Sequence, residues 1–199
     1  GNPSPTVISF FVNRATPSLV GDGLLPADLD GPVPPPPGSP GYFVGSMDQG
    51  GPYGAAQDAL TFWKFKADFA TPANSSFVLT NTLPIAVYDT IFPCSGRQCI
   101  PQPGTPVKVD ILSYRQRPLH RLAYRNYGTH EALVTNQAVE AAAAMSGIRW
   151  WEVRLANGVP SLFQEGTYAP GTSDNIHRWM GSIAMDAAGN MALGYSASD

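Results

Sequence analysis

Over residues 148–155 the side chains sort cleanly by parity. Arg149, Trp151, Val153 and Leu155 fall on one side and Ile148, Trp150, Glu152 and Arg154 on the other, the two-residue period of a strand. Segment 59–66 behaves similarly, with Leu60, Phe62, Lys64 and Lys66 alternating against Thr61, Trp63 and Phe65. Apolar, β-branched or aromatic runs at 7–12, 42–47, 77–79, 119–126, 132–137, 161–164, 180–185 and 191–197 predict further strands. Helical periodicity is nearly absent. Segment 139–145, with four consecutive alanines, reads either as one helical turn or as a tightly packed small-residue strand.

Turn chemistry punctuates these runs. Asn157-Gly158 separates two strand candidates and is a strong two-residue hairpin signal. The 186–190 loop carries Gly189, suited to a positive φ. Residues 21–41 hold seven prolines and read as an extended surface connector. Residues 80–118 read as mostly irregular, and an excursion of that length is expected to be functional or packed on a neighbour.

The chain also repeats itself. Residues 120–139 and 177–198 each open on His-Arg, run into an apolar stretch, turn at a glycine and return through a second apolar stretch, 57 positions apart. A period of that size belongs to modular β architectures whose units bury their faces by stacking. The reading is therefore all-β: a partial β-propeller of four-stranded antiparallel blades with long Pro/Gly-rich loops. Its divisions are an N-terminal strand and Pro-rich connector at 1–41, an incomplete blade with a cysteine loop at 42–118, a complete blade at 119–166, and two strands of a following blade at 167–199.

Composition agrees. The 199 residues include 20 Gly and 20 Pro, against roughly 14 and 10 expected from average usage. Charged residues are only 14% and the net charge is −3, with no basic block, which argues against nucleic acid and against a charged membrane surface. No apolar run approaches a membrane span. Cys94 and Cys99 enclose a turn-rich loop, read as a small disulfide loop of an oxidising compartment, with free thiols as the alternative. A metal site is not supported, because no second Cys or His pair stands at ligand spacing. No cofactor-binding motif is present.

The strings Arg121-Leu-Ala-Tyr-Arg-Asn126, Gly147-Ile-Arg-Trp-Trp-Glu152, Gln164-Glu-Gly-Thr-Tyr-Ala-Pro170 and His177-Arg-Trp-Met-Gly-Ser-Ile-Ala-Met-Asp186 carry a resemblance. With the cysteine loop and the 60–68 strand, they look like a family of large, secreted, functionally uncharacterised bacterial β-propeller proteins of loosely sialidase-like architecture. The resemblance spans most of 42–199. It implies a segment of a longer secreted or cell-surface protein, partnered by the remainder of the propeller, by a second copy of the chain, or by a glycan. The sialidase Asp-box pattern is not matched, since Ser182 and Asp186 stand four apart and no Trp follows Gly189.

The candidate chemistry follows from position in the repeat. His120, Arg121, His177 and Arg178 open the two copies and could converge on an anion, or could simply close each unit against its neighbour. Trp150, Trp151 and Tyr168 offer flat faces to sugar rings, although packing is the commoner use of such tryptophans. Glu131 and Asp186 lead the carboxylates that would serve a glycoside hydrolase, with Glu152 and Glu165 nearby. Asp22, Asp28 and Asp30 read as solvated turn residues rather than a calcium loop. The primary functional expectation is a non-catalytic extracellular binding or scaffold segment. The alternative is a fragment of a sialidase-like glycoside hydrolase.

Overall fold

The computed structural model describes residues 7–11, 16–90, 98–111 and 116–199. Cys94 lies outside them, and the Cys94–Cys99 pairing with it. The chain is all-β, apart from short turns such as α1 (Pro17–Val20) and α2 (Gly171–Asp174).

One curled sheet dominates. It is built from β1 (Leu25–Asp30), β2 (Gly41–Met47), β3 (Ala59–Lys66), β4 (Ser76–Pro84), β7 (Leu119–Asn126), β8 (Glu131–Ala142), β9 (Met145–Ala156) and β10 (Val159–Tyr168). Between the two groups, β5 (Gln98–Gln102) and β6 (Thr105–Asp110) form a separate hairpin. The strand order in the large sheet is β10-β9-β8-β7-β1-β2-β3-β4. All neighbours are antiparallel except β1 and β7, which run parallel from Ala27↔Leu122 to Asp30↔Arg125. Two meanders thus unwind in opposite directions from a parallel seam.

The four strands expected over 119–166 are present as β7–β10, but they form half of one continuous sheet rather than a separate blade. The Pro-rich connector contains a strand, β1, in the middle of that sheet. Pro26 is tolerated there because β1 changes partner along its length, pairing with β2 at Leu25 and Pro26 and with β7 from Ala27 onward. A residue lacking an N–H therefore sits where only one neighbour is engaged. Residues 7–11 form no strand. Segment 139–145 is not helical: β8 runs through Ala142 and turns at Ala144, whose φ is 62°, into β9. Asn157 and Gly158 have φ of 52° and 75°, the signature of a type I′ hairpin turn.

The curl encloses the core. Tyr42, Val44, Leu60, Phe62, Leu122, Tyr124, Leu133, Trp151, Val153 and Leu155 form one buried cluster, joined by Leu25, Ala27, Leu83 and Leu162. All eight strands contribute, and Trp151, Val153 and Leu155 lie on the parity their alternation assigned. Burying a side chain of this size contributes roughly 1.5–3 kcal/mol.

The two edge strands, β4 and β10, come together without a ladder. Side chains bridge them instead: Glu165 accepts the Ala86 N–H at 2.9 Å and pairs with Arg149 at 2.5 Å, while Arg149 donates to the Ala86 carbonyl at 3.4 Å. The segment after β4 then crosses toward the other half of the sheet. Tyr88 packs edge-on against Trp151 and donates to the Met47 carbonyl, and the Asp89 carbonyl accepts the Glu140 N–H at 2.7 Å.

The last two strands, β11 (His177–Met185) and β12 (Met191–Ser198), form a hairpin over the outer face of β7–β9. Ile183 and Met185 pack there against Ala123, Ala132 and Val134. Gly181 permits the contact, since a Cβ at that position would lie 2.5 Å from Asn136 Oδ1 and 2.9 Å from Ile148 Cγ2. The 57-residue echo is therefore two hairpins, β7–β8 and β11–β12, laid face to face.

Candidate functional site

The equivalent His-Arg pairs meet different fates. Arg121, on β7, is held by two carboxylates of β1: Asp28 at 3.0 Å from Nε, and Asp30 on the terminal nitrogen. Those aspartates are thus arginine partners. Arg178, on β11, donates from both terminal nitrogens to Asp174, at 3.0 and 2.6 Å, and to the Ile176 carbonyl at 2.8 Å. The two guanidinium groups do not share an anion. His120 is exposed, whereas His177 is half-buried, with Nδ1 accepting the Ser146 N–H at 3.3 Å.

The carboxylates are equally dispersed. Glu131 accepts the Tyr124 hydroxyl at 2.6 Å on the inner face of the sheet. Burial, and then the hydrogen bond to Glu131 and its charge, push that phenol's pKa well above its ordinary value. Asp186 lies in the β11–β12 turn on the outer face, where it accepts the N–H groups of Ala188 and Asn190 and the Asn190 side-chain amide. These bonds, led by the Asn190 side chain, hold its carboxyl below the usual range. Glu152 is buried between Arg154 and Gln164, and Glu165 spans the seam with Arg149. With the sheet between Glu131 and Asp186, and each bound to its own partner, they do not form the facing acid–base pair that glycoside hydrolysis needs. Among the described residues, no group of three or more His, Cys, Asp or Glu is placed to hold a metal ion.

Neither tryptophan candidate is available as a stacking surface. Trp151 is fully buried in the core. Trp150 is half-buried under Gly166, where a Cβ would come within 2.9 Å of its ring, and packs against the outer-face cluster of Ala123, Ala132, Val134, Ile183 and Met185.

Tyr168 behaves differently. It ends β10 beside Tyr195 of β12, the ring centroids 5.5 Å apart and tilted by 38°. Both residues are about two-fifths exposed, at 42% and 38%. Arg178 lies beside them, its guanidinium carbon 5.9 Å from the Tyr168 ring centre and 5.6 Å from that of Tyr195. The neighbouring Tyr168 hydroxyl, and then Arg178, lower the Tyr195 phenol pKa, while Tyr195 raises that of Tyr168. Asp174 completes the group with a 38%-exposed side chain. Two fixed aromatic faces thus stand next to a buttressed guanidinium and a partly open carboxylate.

Sequence reading had singled out Tyr168 and Arg178 but missed Tyr195 and Asp174. The one available signal for Asp174 was its position four residues before Arg178. Tyr195 joins the patch only because β12 lies over the main sheet, which no local pattern encodes.

No protein-family model, characterised protein or solved structure matches this chain. No helix among the described residues is long and apolar enough to cross a membrane, which leaves membrane β-barrels unaddressed.

Proposed function

We propose that this chain is a non-catalytic binding segment of a secreted or cell-surface protein, and that its ligand is a glycan held on the Tyr168–Tyr195 patch. The observation that carries this reading is the exposed, mutually fixed tyrosine pair beside Arg178 and Asp174. Sugar C–H faces stack on such rings, while a carboxylate accepts a hydroxyl proton and fixes orientation. The hydrolase alternative is disfavoured by the separate engagement of Glu131 and Asp186.

The propeller context remains part of the proposal. In it, β7–β10 would be one blade's worth of strands, and the outer edge of β12 would pair with further strands or with a second copy. The test is product analysis after prolonged incubation of the protein with a panel of oligosaccharides, including sialylated ones. Intact oligosaccharides are expected. Cleavage abolished by Glu131→Gln or Asp186→Asn would replace this reading with the hydrolase.

A further inference from the structure

The β11–β12 hairpin lies over the outer face of β7–β9, and the edge strand β10 continues that face beyond it. Tyr168 and Tyr195 stand at one end of the strip so formed. Phe163 lies five residues back along β10, roughly 15 Å away at about 3.3 Å per residue. It is on the same face, because Arg154, which shares the outward parity of Trp150 and Glu152, lays its guanidinium carbon 3.2 Å from the centre of the Phe163 ring. One face of that ring is thus capped, yet the residue stays 52% exposed.

Phe163 is presented by the backbone. The β9–β10 register shifts between Leu162 and Gln164, so Phe163 is the extra residue of a bulge. Leu162 turns in to the core, whereas Phe163 and Gln164 both meet outward side chains, Arg154 and Glu152. Bulges of this kind re-aim side chains and gather next to functional sites. The path from Phe163 to the tyrosines is also clear. Glu165 and Thr167 point the other way, to Arg149, and Gly166 carries no side chain above the half-buried Trp150 ring. Apolar surface held open in this way adds nothing to the core.

Resting on the reading of the tyrosine patch as a glycan site, we infer that the ligand is a linear, uncharged oligosaccharide that runs along β10 from Tyr168 and Tyr195 to a second stacking platform at Phe163. The separation is longer than one sugar ring, so only a chain of several rings reaches both. The charges along the strip argue for an uncharged ligand. Arg178 is spent on Asp174 and Arg154 on Glu152, whose second oxygen accepts the Gln164 amide at 2.6 Å. Neither cation is left over for a sugar carboxylate or sulfate, while the partly open Asp174 accepts hydroxyl protons and repels an anion.

The test is isothermal titration, supported by amide chemical-shift mapping, of the whole chain with cello- and chito-oligosaccharides from the monosaccharide to the hexasaccharide. Oligogalacturonates of the same lengths serve as charged counterparts. Affinity for at least one uncharged series should rise with length, and its longer members should shift amides at 163–164 as well as at 168 and 195. Phe163→Ala, at an exposed position that the fold does not need, should abolish that gain. It should weaken the hexasaccharide roughly two- to twelve-fold, the size of one ring contact, and leave the disaccharide unchanged. Tyr168→Ala should weaken every length. Affinity flat with length, a hexasaccharide indifferent to Phe163→Ala, or oligogalacturonates bound as tightly overturns the extended uncharged ligand and leaves the tyrosine patch a glycan site. No binding by any series overturns both.

Discussion

His120 and His177 occupy matching places in the two hairpins, yet one is exposed and the other accepts the Ser146 N–H at the start of β9. Burial, and then the nearby charge of Lys108, hold the His177 pKa below its ordinary value. The folded state therefore binds that proton more weakly than the unfolded chain does. Stability is fully present above the unfolded pKa of about 6.5 and falls as pH drops through and below it. Denaturant midpoints measured from about pH 8 down to about pH 5 should decline. His177→Gln, whose side-chain oxygen can still accept the Ser146 N–H, should flatten that decline. An identical pH profile for both proteins would remove His177 as its source. At this scale the sequence was informative about residue type and uninformative about use: His-Arg marks the start of each hairpin, but the partners that decide its role, Asp28 and Asp30 for one and Asp174 for the other, come from different elements.

Among elements, the β11–β12 hairpin depends on close approach more than on bulk. Gly181 lets β11 rest on Asn136 and Ile148, and Ile183 and Met185 then reach the small residues Ala123 and Ala132. Gly181→Leu should therefore lift the hairpin, at a cost of about 1–3 kcal/mol. The change should appear as faster amide exchange along 177–198, with β8 and β9 much less affected. Unchanged exchange in β11 would show that the contact is not close. Strand content in the C-terminal half was legible because alternation at 148–155, the Asn157-Gly158 turn and the Gly189 turn all agree. The first half was harder. Pro26 disguised β1, whose tolerance for proline rests on a change of partner along the strand, and the β5–β6 hairpin was hidden among prolines. The stacking of one hairpin on another was equally hidden, since the echo shows that two similar units exist but not which faces they share.

At the scale of the molecule, the closing contacts of the sheet join residues distant in sequence: Ala86 with Arg149 and Glu165, and Asp89 with Glu140. The parallel pairing of β1 with β7 is of the same kind. Such pairings set the curl that buries Trp151 and disperses the carboxylates, and they leave no local mark, which is why a modular sequence pattern coexists with one continuous sheet. The tyrosine patch depends on that arrangement too, with Tyr168 from the edge of the main sheet and Tyr195 from the outer hairpin. The decisive measurement is binding of the whole chain to an array of immobilised glycans, with Tyr168→Ala and Tyr195→Ala run beside it. Binding of a defined group of glycans, reduced roughly two- to twelve-fold in each variant, the loss to which the roughly 0.5–1.5 kcal/mol of a ring contact corresponds, is the expected result. Glycan binding that survives both substitutions, or no glycan binding by the unaltered chain, would contradict it.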